Sequence, residues 1–151
     1  MNLTEVPEIV NWPETYYVFI EKIGSFRDTA PAAWKTAHSL VAAISEHNQI
    51  TGYMSLYKLG SSIYRAGFSL AGPPNQLPAE LESIVFPGGK YSRFVLKGPY
   101  DQLGPANGRV MEIVKEQGIE TRDDFNIEHY VTDPRSTPPE QTVTHILVPT
   151  A

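Results

Sequence analysis

Two hydrophobic periods divide the chain. Seven stretches, 16–23, 52–58, 62–70, 81–86, 90–97, 125–133 and 142–148, read as strands; they are punctuated by Gly and Pro turns, 16–23 opens on the apolar run Tyr-Tyr-Val-Phe-Ile, and 125–133 alternates apolar with polar residues at period two. Two other stretches space their apolar residues by three and four. Ala33, Trp34, Ala37, Leu40, Val41 and Ile44 form one such stripe, and Leu103, Ala106, Val110, Ile113 and Val114 form the other. Each predicts an amphipathic helix. The first helix is expected to be capped by Asp28 or Thr29, to carry Pro31 in its first turn, and to run to about His47 before Asn48. Gly118 is placed to end the second. Leu3–Trp12 carries Val6, Ile9 and Val10 broken by Pro7, which predicts an edge strand. The Gly- and Pro-rich 71–78 reads as a loop, and 134–139, with three prolines, as a stiff polar connection.

The elements therefore run strand, strand, helix, strand, strand, and then the same again. Local matches follow the repeat. Ile23-Gly-Ser-Phe26 before the first helix corresponds to Lys97-Gly-Pro-Tyr100 before the second, and Met54-Ser-Leu-Tyr57 after the first to Ile127-Glu-His-Tyr130 after the second. The expectation is an α+β fold: a pseudo-two-fold duplication forming an antiparallel sheet or open barrel of about eight strands, with two main helices over its apolar faces. One domain is expected over 1–151, with repeats at about 1–72 and 77–151 and a ligand groove where the repeats meet.

The chemistry concentrates in 125–134. Strand parity puts Glu128 beside Tyr130 on one face, opposite a mostly apolar face that holds Phe125, Ile127 and Val131. A carboxylate among aromatic rings can pair with a cation; partly desolvated, its pKa rises, and it can then move a proton near neutral pH. The ordinary alternative is a solvated acid on an open sheet face. In the first repeat the counterparts are Ser55 and Tyr57, so the repeat holds one acid and not two, which argues against paired-carboxylate glycosidase chemistry. Trp34, Tyr64, Phe68, Tyr91 and Phe94 join the candidate lining, each either wall or core; for Trp34, on a helical stripe, core packing is the ordinary role. His145 reads as a structural strand histidine, and His38, His47 and His129 offer less.

Composition narrows the classes. The 151 residues carry a net charge of -5, which repels phosphate backbones and argues against direct nucleic-acid binding. There is no cysteine, so thiolate catalysis, disulfides and thiolate metal sites are excluded. The four histidines lack metal-ligand spacing, and no metal or other cofactor is expected. With no leader and no apolar run long enough for a bilayer, the expected location is cytoplasmic, away from membranes.

The run from Tyr91 to Lys-Gly-Pro-Tyr100, the following helix, Phe125-Asn-Ile-Glu-His-Tyr-Val-Thr-Asp-Pro134, Thr-Pro-Pro-Glu-Gln141 and the final Val-Thr-His-Ile-Leu-Val-Pro149 together resemble the GyrI-like family. Its relatives are the effector-binding domains of AraC-type and MerR-type multidrug regulators and, more distantly, the SOUL proteins. The resemblance implies a duplicated βαββ fold with an aromatic cleft between the repeats and Glu128 inside it. It implies a bulky hydrophobic or aromatic ligand, cationic in many members, without a DNA-binding segment in this chain. Two other activities follow from the same likeness. One is hydrolysis of strained, cyclopropane-bearing genotoxins, with Glu128 and Tyr130 as the catalytic pair. The other is a protein partnership, with DNA gyrase or with a separate regulator.

Overall fold

The computed structural model describes residues 1–133 and 135–151; Pro134, the last residue of the stretch singled out above, lies outside them. The chain is an α+β protein. Among the described residues it has nine strands: β1 Asn2–Leu3, β2 Glu8–Trp12, β3 Thr15–Ile23, β4 Ile50–Lys58, β5 Ile63–Leu70, β6 Glu82–Phe86, β7 Gly89–Lys97, β8 Asn126–Tyr130 and β9 Val143–Pro149. There are two main helices, α1 Phe26–Ser39 and α3 Leu103–Glu116, and a short one, α2 Val41–Ser45, that follows α1 directly. The strand expected over Leu3–Trp12 is two pieces around Pro7, which accounts for nine strands where about eight were expected.

The chain forms two compact units, one of residues 13–88 and one of residues 1–12 with 89–151. In the first, the strand order is β4-β5-β3-β6. In the second it is β8-β9-β7, with β1 and β2 both pairing to the far edge of β7. Every pairing within a unit is antiparallel. Each unit is thus one βαββ element, β3-α1-β4-β5 or β7-α3-β8-β9, with the same strand order and an added edge. These units are not the sequence halves. β1 and β2 precede β3 in the chain but pair with β7, and β6 precedes β7 but pairs with β3.

The shared plan extends to detail. Gly24 and Gly98, just before the two helices, have φ of 138° and 153°, which a residue with Cβ rarely adopts. Their N–H groups donate to the carbonyls of Ser62 and Thr142, each the residue before the unit's third strand, at 3.0 and 2.8 Å. Two residues later, Phe26 meets Tyr57 edge-on at 5.8 Å and 81°, and Tyr100 meets Tyr130 at 5.8 Å and 85°.

In the first unit α1 covers Val18, Ile20, Ala66, Phe68 and Leu70 through Ala33 and Ala37. In the second α3 covers Phe94, Leu96, Ile146 and Val148 through Ala106, Val110, Ile113 and Val114. Helix α1 starts at Phe26, where the backbone carbonyl of Ser25 accepts from Asp28 and Thr29 at 3.0 and 2.9 Å. Asp28 and Thr29 are therefore inside the first turn and not its cap, and Pro31 lies one turn deeper than expected. The helix also stops at Ser39 and resumes at Val41, since the Leu40 N–H turns back to Ala37 at 3.1 Å. Helix α3 ends as expected. Gly118 has φ of 63°, and Ile119 donates to Val114 at 2.9 Å while packing against the core below, a Schellman closure.

Candidate functional site

Glu128 stands on β8 opposite Ile146 of β9, a member of the core beneath α3. The ladder therefore points its carboxylate at the helix and not at water. Only 8% of the residue is exposed, so the solvated-acid alternative does not hold. Two neutral donors meet the carboxylate. The Tyr130 hydroxyl donates to Oε1 at 2.8 Å, and the Asn107 amide donates to Oε2 at 2.8 Å. The same Asn107 nitrogen donates to the Leu103 carbonyl one helical turn back at 2.9 Å. Flipping that amide would set its oxygen against two acceptors, so its orientation is fixed by chemistry. Burial pushes the Glu128 carboxyl above the usual range, with the bonds from Tyr130 and Asn107 pulling partly back. Among the described residues, no charged side chain contributes to that balance.

The rim of this cluster is aromatic. Tyr100, in the 3-10 turn Tyr100–Gln102 that leads into α3, stands edge-on to Tyr130 and is 39% exposed. Beside Tyr130 on β9 is Thr144, fully buried, whose hydroxyl has no hydrogen-bond partner among the described residues.

The corresponding place in the first unit is Ser55 on β4. Its hydroxyl lies 2.7 Å from the Tyr64 hydroxyl, and the Trp34 indole N–H reaches both, at 3.1 and 2.9 Å. Around them Tyr57 stacks on Tyr64 at 6.4 Å, Tyr53 stacks on Trp34 at 6.3 Å, and Phe68 meets Trp34 edge-on at 6.0 Å. The structure thus gathers Ser55, Trp34, Tyr57, Tyr64 and Phe68 in one unit, and Glu128 and Tyr130 in the other.

Phe94 and Tyr91 stand differently. Phe94 is fully buried in the core beneath α3. Tyr91 has the opposite parity on β7. Its hydroxyl donates to the Phe125 carbonyl at 2.9 Å, and the Arg122 guanidinium lies over its ring at 4.7 Å. It is a buried structural tyrosine that does not join Glu128, and burial raises its pKa. His129 and His145 also face away from α3, 5.8 Å apart, with Trp12 edge-on to His129 at 5.3 Å. Among the described residues, no three His, Asp or Glu side chains gather as metal ligands.

The residues missed in the sequence are Asn107, Thr144, Tyr53 and Tyr100. Asn107 had a signal. It lies four residues after Leu103 and three before Val110, on the apolar stripe itself, where a polar side chain needs a buried partner.

A family model for the GyrI-like small molecule binding domain matches residues 5–151. The chain belongs to the GyrI-like family. Solved structures show the same GyrI-like fold. The C-terminal domain of EcmrR superposes with a TM-score of 0.78 at 17% identity, over 100% of this chain and 99% of that one. SAV2435, solved bound to tetraphenylphosphonium, gives 0.74 at 16% identity over 96% and 93%. A hydrolase from Listeria innocua gives 0.61 at 12% identity over 97% and 92%. No curated protein sequence matches the chain. As a GyrI-like domain it is a small-molecule-binding module, and among its described residues no helix is long and apolar enough to cross a membrane.

Proposed function

We propose that this GyrI-like domain binds a bulky hydrophobic cation, with Glu128 supplying the opposing charge. The observation that carries this reading is the company Glu128 keeps. It is a carboxylate 8% exposed whose hydrogen-bond partners, Tyr130 and Asn107, are both neutral. Removing a charge from water without a counter-ion is costly, and a bound cation relieves that cost. Tyr100 and Tyr130 present ring faces and edges suited to an apolar cation. The tetraphenylphosphonium held by SAV2435 has this chemistry.

Two ions of the same shape and opposite charge test the reading. Calorimetric titration with tetraphenylphosphonium should give saturable binding, and tetraphenylborate should bind at least tenfold more weakly. Equal affinity for the two would show that shape alone is recognised, and the charge assignment to Glu128 would be withdrawn.

The same pair of residues supports a second reading, hydrolysis of a strained cyclopropane electrophile. A carboxyl with a raised pKa, bonded at 2.8 Å to a phenol, has the parts to activate water and to steady the developing anion. Mass spectrometry of a cyclopropane-bearing alkylating agent incubated with the protein would detect ring opening. A mass gain of one water that is lost in Glu128→Gln supports hydrolysis, and unchanged substrate removes it.

A further inference from the structure

We infer that cation and proton compete for Glu128, so that each cation entering the site expels a proton, and that the proton sits on Oε1, where Tyr130 turns to accept it. This rests on the cation-binding reading above and adds its regulation.

The argument follows from which atoms can donate. Oε2 faces the Asn107 amide nitrogen at 2.8 Å. That nitrogen is held as a donor by its second bond, to the Leu103 carbonyl at 2.9 Å. A proton placed on Oε2 would point at a donor and have no acceptor, so that oxygen stays unprotonated in either state. Oε1 faces the Tyr130 hydroxyl at 2.8 Å, and a phenol can donate or accept. With Glu128 ionised, Tyr130 donates to Oε1. With Glu128 neutral, Oε1–H donates to the Tyr130 oxygen and the phenolic hydrogen rotates away. Both states keep a hydrogen bond on each carboxyl oxygen, so the site can hold either form without rebuilding.

The neighbours leave this equilibrium to the ligand. Across β9, Glu128 faces Ile146 and Tyr130 faces Thr144, both neutral. On α3, Arg109 is engaged by Glu5, Glu112 and Glu116 at 2.7, 3.1 and 3.2 Å. Asp133, beyond Tyr100, is paired with Arg135 at 3.2 Å. Burial favours the neutral acid, and among the described residues no fixed cation opposes it. A ligand cation is then what ionises the group. The exchange balances as a neutral acid plus a free cation giving a carboxylate–cation pair plus one released proton. It makes the site a proton-linked switch, loading as pH rises and unloading as pH falls.

The test is calorimetry of tetraphenylphosphonium binding from pH 4.5 to 8 in pairs of buffers that differ in ionisation enthalpy. At low pH about one proton should be released per cation, falling to none at high pH, and affinity should drop about tenfold per unit below the Glu128 pKa. In Glu128→Gln whatever binding remains should be independent of pH. In Tyr130→Phe the midpoint should move up, because the bond from Tyr130 favours the ionised form. Cation binding without proton release, or pH dependence that persists in Glu128→Gln, overturns the inference while leaving cation binding in place. An unmoved midpoint in Tyr130→Phe overturns the assignment of the proton to Oε1. No binding at any pH removes the cation-binding reading and this inference with it.

Discussion

The two βαββ units solve one problem in two ways. Each sets a polar residue in the middle of its second strand, facing the helix: Ser55 opposite Ala66, and Glu128 opposite Ile146. Each follows it two residues later with a tyrosine that meets an aromatic ring from the helix entrance. In the first unit the polar residue is a hydroxyl, and a hydroxyl is completed by neutral partners. Trp34 and Tyr64 supply them, and Tyr64 fills the cross-strand place beside Tyr57. In the second unit that cross-strand place, beside Tyr130, holds the smaller Thr144, whose hydroxyl has no hydrogen-bond partner among the described residues. The central residue there is a carboxylate with one neutral donor on each oxygen, and among the described residues no charged side chain bears on it. The lesson is that a shared backbone does not fix chemistry. One unit is completed by neutral partners; in the proposed function, the other is completed by a cation or a proton.

The comparison breaks most visibly at Asn107. Asn107→Leu leaves Oε2 without a donor and should cost roughly 3 kcal/mol of stability at pH 8. The penalty should shrink as acid neutralises Glu128. Urea unfolding at the two pH values checks this, and a penalty that does not change with pH would show Asn107 to be packing alone.

The shared corners come next. Gly24→Ala and Gly98→Ala force a Cβ onto φ of 138° and 153°. Each should cost about 2 kcal/mol, and by similar amounts in chemical denaturation. A large effect at one and none at the other would mean that the corners bear load differently.

The pH dependence of stability distinguishes the units more gently. Folding raises the Glu128 pKa, so the folded state binds more protons than the unfolded one in the intervening range. The contribution of this group is therefore greatest at low pH and is lost as pH rises from the unfolded carboxyl value through the raised folded value. Glu128→Gln should remove that decline and leave the melting temperature at pH 8 equal to or above that of the wild type. A lower one would mean that the ionised carboxylate stabilises the fold. The smallest effect belongs to Ser55→Ala. Trp34 and Tyr64 still bond to each other at 2.9 Å, so the loss should stay below about 1 kcal/mol.

Much of this was legible in the sequence, for local reasons. Strand and helix periods, the repeated Gly-Ser-Phe26 and Gly-Pro-Tyr100 corners and the Ser55/Glu128 difference all depend on neighbours in the chain. The pairing of β2 with β7 does not; partner choice for an edge strand is non-local, and residues 8–12 carry no mark of it. The interruption at Leu40 was hidden because the apolar stripe continues through it from Ala37 to Val41 and Ile44. Tyr91 looked equivalent to the other aromatics because parity separates two faces without saying which one the helix covers. Asn107 differs in kind: the apolar members of its stripe predict the helix, while the one polar member carries the information about the site.

One measurement tests the central claim that Glu128 is the charge of the ligand site. Tetraphenylphosphonium should be titrated at pH 8 into the wild type, Glu128→Gln and Ser55→Ala. Loss of the carboxylate should weaken binding by about thirtyfold, equivalent to roughly 2 kcal/mol, while Ser55→Ala stays within about twofold of the wild type. Affinity in Glu128→Gln within about twofold of the wild type would contradict the account, because the acid that separates the two units would then have no part in recognising the ligand.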